Sequence, residues 1–266
     1  MTMLDMRREA KAQGLTLDRS VLTEAERRDA VATWQGRMLN EHVSARVFAG
    51  LIPQMMAAGV EVSLQLEVAA MISEELRHGV LCAAAVEALG GEAVAPLPDL
   101  DPVPAHEDAA PLEALLRNVI SICCLSETIA VALITAERLE TRPPALQEAL
   151  TEILADEVGH ARFGWRLLDS LAPQLDAGLR QRLGDYLPVA FLHLLDYELD
   201  HLPVHATAPS DAVEGFGVCN GSDARALFYD TITNAIVPEL QARGLPGEAA
   251  WLVARAEYEA ADRENR

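Results

Sequence analysis

The chain reads as all-α: a four-helix bundle with a long crossover between its second and third helices, plus additional C-terminal helices. Three observations predict this. Half of the 266 residues are hydrophobic while only 5% are aromatic, a balance that favours helix over sheet. Apolar residues recur by threes and fours along four successive stretches. The breaks between those stretches fall at Gly59, at Gly90-Gly91 with the proline-rich sequence after it, and at Pro143-Pro144.

A polar segment, residues 1–21, opens the chain, and "MTMLDMRREAKAQG" lacks the apolar run of a secretory leader. The first helix starts in "LTEAERRDAV", capped near Thr23 with Glu26 three residues later. Its apolar stripe is Trp34, Met38, Ala45, Phe48, Ile52 and Met55, with Glu41 set into it. The second helix runs from about 61 to 89 and stops at Gly90-Gly91. Its stripe is Leu64, Val68, Met71, Glu75, His78, Cys82, Ala85 and Leu89. Then "GEAVAPLPDLDPVPAHEDAAP" has no helical periodicity, and extended it is long enough to travel the length of a bundle.

The third helix spans about 111–141 and the fourth 144–171, and the short "TRPP" break makes them antiparallel neighbours. The expected organisation is thus a bundle over 22–172 and a helical extension, 173–266, packed on it. Within the extension, helices are expected at about 176–202, 222–243 and 246–264. Pro188 and Pro238 should kink or interrupt the first two, and "PVHATAPSDAVEGFGVCNGSD" reads as a loop. The stretch "NVISICCLSETIAVALITA" is nearly long enough to span a membrane. It carries Glu127 at its centre and several hydroxyls, and reads as the most buried helix of a soluble bundle.

With 21 basic and 41 acidic residues the formal net charge is −20. Such a field repels nucleic acid and anionic membrane surfaces, so neither is expected as a partner. The cysteines, Cys82, Cys123, Cys124 and Cys219, form no Cys-x-x-Cys pair, which removes zinc knuckles and rubredoxin-type iron sites. Adjacent Cys123 and Cys124 would point about 100° apart on a helix and suit no ordinary disulfide. A cytoplasmic location is expected.

The chemistry lies in the ionisable residues of the apolar stripes. Glu41 stands alone on the first helix and Glu127 alone on the third. The second and fourth carry Glu75-x-x-His78 and Glu157-x-x-His160. Positions i and i+3 share a helical face, so each motif turns two ligands inward together. Buried carboxylates are costly unless paired or bound to a cation, and four of them balance two divalent ions. The separations match across the two hairpins, 75 − 41 = 34 and 157 − 127 = 30, which sets the ligands at similar heights. One Glu from each of two helices and one Glu-x-x-His from each of two others is the ligand pattern of carboxylate-bridged dinuclear sites. A third match, Glu198-x-x-His201 in "DYELDH", reads as a solvated helix end.

On these residues the chain resembles the ferritin-like superfamily of non-haem di-iron proteins over about 22–172. "EELRHG" and "DEVGHA" look like the paired motifs of its oxygenase branch, which includes acyl-carrier-protein desaturases, bacterial multicomponent monooxygenases and arylamine N-oxygenases. The resemblance implies two irons, or a manganese–iron pair, held by Glu41, Glu75, His78, Glu127, Glu157 and His160, with O2 as co-substrate and an external electron donor. It also implies that Glu74 and Asp156 orient the histidines, Asp156 matching that role more closely.

Two positions depart from the pattern. Arylamine N-oxygenases carry an extra His where this chain has Ile153. Gly159 stands where relatives often have Arg and where the first motif has Arg77. A mid-helix Gly costs about 1 kcal/mol relative to Ala, and close packing of a neighbouring backbone is the reason adopted over space left beside the metals.

The activity expected is an oxygenase or oxidase that hydroxylates, N-oxygenates or desaturates a small organic molecule, the alternative being a ferroxidase or peroxide-scavenging iron handler. Candidate walls of the substrate pocket are Met38, Ala45, Met71, Cys123, Cys124, Ala130, Val131 and Gly164, each within a turn or two of a ligand. The extension, 173–266, is a candidate lid or homodimer interface.

Overall fold

Helix takes 77% of the described residues and strand 2%, so the all-α class holds. The computed structural model describes residues 2–202 and 208–264, without the side chains of 262 and 264. Four long helices form its centre: α2 (Glu24–Ala57), α3 (Val62–Ala88), α4 (Pro111–Glu140) and α5 (Pro144–Leu171). α2 begins in a capping box: Glu26 N–H donates to the Thr23 hydroxyl, and Thr23 N–H donates to the Glu26 carboxylate at 2.9 Å. α2 packs on α3 and α4 on α5, each pair joined by a short turn, and the hairpins meet along α3–α5 and α2–α4.

The polar N-terminal segment is more structured than its composition suggests. After β1 (Met3–Asp5) comes α1 (Arg7–Gln13), and β1 pairs antiparallel with β2 (Val94–Pro96), Leu4 opposite Ala95. Leu4, Met6 and Ala10 are buried. Three apolar residues among charged ones leave no periodic signal, yet the start of the crossover offers an open strand edge for them to pair with.

From β2 the chain returns along α2. Arg46 donates to the carbonyls of Leu100 and Asp101, at 2.8 and 3.3 Å, and Gln54 to that of Pro104 at 3.1 Å. Gly50 makes this course possible, since a Cβ there would lie 2.6 Å from Val103 Cγ2. Asn118 on α4 then clamps the end of the crossover, donating to Pro104 O at 2.7 Å and to Gln54 Oε1 at 2.8 Å.

α4 contains a widened, π-helical stretch at Ile120–Ser126, directly before Glu127. It is also the one helix, among the described residues, long and apolar enough to cross a membrane, with a mean hydropathy of 2.1. Of that window 39% is buried, and Ala130 to Ile134 are half-exposed.

In the C-terminal third, α6 (Ala177–His201) runs through Pro188 without a break and packs on the first half of α4. A short α7 (Asp211–Glu214) lies within the stretch read as loop; residues 203–207 of that stretch fall outside the described residues. Helix α8 (Gly221–Thr231) continues through a π-helical turn, Ile232–Ile236, into Val237–Ala242. Pro238 has no N–H for the regular ladder, and the helix widens just before it rather than breaking. α9 (Gly247–Glu264) covers α6, with Trp251 against Phe191 at 5.4 Å between ring centres. Trp34 of α2 donates its indole N–H to Phe216 O at 2.8 Å, tying the extension to the bundle.

Candidate metal centre

The four central helices bring their carboxylates and imidazoles to one level. His78 Nδ1 lies 3.4 Å from Glu41 Oε2, 3.4 Å from Glu157 Oε1 and 3.9 Å from Glu75 Oε2. His160 Nδ1 lies 3.0 Å from Glu75 Oε1, 3.3 Å from Glu157 Oε2 and 3.9 Å from Glu127 Oε2. The ring centres are 6.1 Å apart. Two quartets result, Glu41–Glu75–His78–Glu157 and Glu75–Glu127–Glu157–His160, with the ligand atoms of each within 4.8 Å of one another. Glu75 and Glu157 belong to both. Each quartet could hold a metal ion.

The opposite ring nitrogens are anchored, and the anchors cross between helices. His78 Nε2 of α3 lies 3.0 Å from Asp156 Oδ2 of α5, and His160 Nε2 of α5 lies 2.9 Å from Glu74 Oε2 of α3. Each carboxylate just before a motif Glu therefore orients the histidine of the other motif, and Glu74 does so as directly as Asp156. The N–H to these carboxylates holds each ring with Nδ1 facing inward, a lone-pair donor once Nδ1 has lost its own proton. Phe48 closes the cluster on one side, edge-on to His160 at 5.3 Å.

The crowded carboxylates favour positive charge at this level of the bundle. Burial opposes the charged form of His78, but the Glu157 and Glu41 carboxylates beside Nδ1 outweigh it and raise its pKa to about 10. For His160 burial is again overcome, chiefly by Glu157, and the pKa rises to about 9. Burial pushes Glu75 well above the usual carboxylate range, helped by the charges of Glu157 and Glu41, and does the same to Glu127, helped by Glu157. Glu157 is held low: burial would raise it, but His160 and His78 more than compensate.

Among the six Glu and His residues of the centre, two buried atoms have no hydrogen-bond partner: His78 Nδ1, and Glu75 Oε1, whose 3.0 Å approach to His160 lies outside hydrogen-bonding geometry. An orphaned buried polar atom costs about 1–3 kcal/mol, which a shared cation would remove. The donor set, carboxylate oxygens with imidazole nitrogens, suits iron or manganese.

Among the proposed pocket walls, Met38, Ala45, Met71, Cys123 and Cys124 are buried in the apolar core, while Ala130 and Val131 are half-exposed on α4. Gly164 makes a close contact rather than a space, since a Cβ there would sit 2.5 Å from Cys123 Cβ and 2.8 Å from its backbone carbon. Gly159 is the reverse. It is exposed with nothing within 4 Å of its Cβ position, so the close packing expected there is absent. Ile153 is buried in the apolar core with Trp34, Met38 and Leu150. The third motif stands outside both quartets: Glu198 is half-buried, with burial raising its pKa to about 7, and His201 Nδ1 lies 2.6 Å from Tyr197 O.

Sequence reasoning missed one charged pair beside the centre. Arg37 is paired with Glu137 of α4, with its guanidinium 5.2 Å over the Trp34 ring. Burial opposes charge on both, and the guanidinium stays protonated through the Glu137 carboxylate. The signal was present, since Arg37 sits between Trp34 and Glu41 in the apolar stripe.

Compared with models of known protein families the chain matches none, and no curated protein matches it.

Proposed function

We propose that the protein is a ferritin-like di-iron oxygenase or oxidase acting on a small organic substrate. The observation that carries this is the pair of overlapping quartets sharing Glu75 and Glu157, each completed by one imidazole with an anchored outer nitrogen. In this reading Glu41, Glu75, His78 and Glu157 would hold one ion and Glu75, Glu127, Glu157 and His160 the other, Glu75 and Glu157 being common to both groups. When bound, two irons supply the capacity to activate O2 with electrons from an external donor. The protein's own contribution is positional. Asp156 and Glu74 hold the imidazoles in one tautomer and orientation, Phe48 keeps water from one side, and the widened turn before Glu127 sets the height of that carboxylate on α4.

The test is metal content after growth with iron, together with absorption on mixing the ferrous protein with O2. Two irons per chain and a transient visible band support an oxygenase or oxidase. Two irons that oxidise without such a band favour ferroxidase or peroxide-scavenging chemistry. A chain without stoichiometric metal would refute the centre.

A further inference from the structure

The two halves of the centre differ behind their imidazoles. Both motifs place a carboxylate before the Glu, and one residue immediately before the His. That residue is Arg77 in α3 and Gly159 in α5. Arg77 Nη2 donates to Asp156 Oδ2 at 2.5 Å, and His78 Nε2 reaches the same oxygen at 3.0 Å. One oxygen serves two donors, one of them a guanidinium. On the other side Glu74 Oε2 takes His160 Nε2 at 2.9 Å, and among the described residues no arginine shares it. Gly159, the residue in Arg77's place, leaves open space there.

Neither solvent nor net charge accounts for the difference. The Asp156 and Glu74 side chains are similarly exposed, 23% and 29%. Arg77 also pairs with Glu152 at 2.9 Å, so Arg77, Glu152 and Asp156 together carry one negative charge, as Glu74 does alone. What differs is the shared oxygen. A carboxylate that accepts fully from an imidazole N–H raises the basicity of the opposite nitrogen, and one already committed to a guanidinium does so less.

We propose that the two metal positions are therefore unequal: the one on His160 and Glu127 binds a divalent cation more tightly than the one on His78 and Glu41, and Arg77 is the positioning residue that sets the gap. The inference rests on the dinuclear reading above. Its consequence is ordered loading, with a one-ion form at limiting metal, which is also what a site needs to take two different ions in a defined order.

Calorimetric titration of the chelator-treated full chain with Co2+ tests it. Two uptake steps are expected, apart by on the order of tenfold. His160→Ala removes the tighter step and His78→Ala the weaker. Arg77→Gln tightens the weaker step and leaves the other unchanged, whereas the mere loss of a positive charge would tighten both. Gly159→Arg, entering open space opposite Glu74, weakens the tighter step. Two steps of equal affinity, or an Arg77→Gln chain whose second step weakens, would overturn the inequality while leaving the centre intact. A chain that takes up no Co2+ would overturn the centre itself.

Discussion

Two glycines five residues apart on α5 should respond oppositely to the same added methyl group. At Gly164 the new Cβ meets Cys123 Cβ at 2.5 Å, its backbone carbon at 2.8 Å and its backbone oxygen at 3.1 Å. Backbone cannot swing aside as a flexible side chain can, so Gly164→Ala takes the upper part of the ~1–3 kcal/mol typical of overpacking. Better helix propensity returns about 1 kcal/mol, leaving a net loss of about 1–2 kcal/mol. At Gly159 the methyl meets nothing within 4 Å, and Gly159→Ala keeps the whole propensity gain of about 1 kcal/mol. With ~2–4 °C per kcal/mol for a chain near this size, Tm should fall by roughly 2–8 °C in the first variant and rise by about 2–4 °C in the second. Circular dichroism melts of the chelator-treated proteins at one pH suffice. Equal shifts, or a Gly164→Ala protein as stable as the parent, would refute the close approach of α5 to the widened turn of α4. Because Cys123 lies in that turn, four residues before Glu127, Gly164→Ala should also weaken metal uptake on the His160 side.

Further expectations concern the ligands and the buried pair. Glu157→Ala should lose both ions, and Glu41→Ala only the one on the His78 side, both with helical circular dichroism intact; metal analysis after gel filtration decides. Metal binding should release protons, because His78 and His160 with pKa values of about 10 and 9 are charged at neutral pH. Apparent affinity therefore climbs as pH rises from 7 toward 9, and calorimetry in two buffers of different ionisation enthalpy counts the protons. The same raised values mean that these imidazoles stabilise the metal-free fold fully below the ordinary histidine pKa of 6.5, a contribution lost as pH climbs through about 9 to 10. Urea midpoints of the chelated protein across that range would show it, and a His78→Gln, His160→Gln double variant should flatten the trend. Glu137→Gln leaves the Arg37 charge without its partner and should cost roughly 3–5 kcal/mol in urea unfolding; a loss below 1 kcal/mol would mean water solvates that guanidinium.

The long helices and the Glu and His residues buried among them were legible because both depend on local periodicity. The Thr23–Glu26 cap, the break at Gly90-Gly91 and the glutamates set into apolar stripes follow from one helix at a time. What stayed hidden depends on neighbours. Periodicity shows that Glu74 shares a helix with Glu75, but not that its carboxylate reaches His160 across the bundle. The β1–β2 pair joins segments about 90 residues apart and too short for any pattern. The widened turn of α4 is a departure from the repeat that sequence reading assumes. Gly159 and Gly164 look alike in sequence, and only the position of Cys123 separates them.

The crossed anchoring of the histidines has a further consequence. Each Glu-x-x-His helix holds what the other lacks, α3 lending Glu74 to α5 and receiving Asp156 in return. That exchange has the form of a twofold axis, in which the same surface is lent and borrowed, as in an isologous dimer. Here the two partners are hairpins of one polypeptide, tethered by the strap that crosses Gly50. An isolated hairpin spanning α2 and α3 would thus keep Glu41, Glu75 and His78 while losing the acceptor for His78 Nε2. It would recover an equivalent set only against a second copy of itself, with Glu74 of each copy in the place of Asp156. Covalent linkage frees the two halves to differ, and Arg77 opposite Gly159 is where they do.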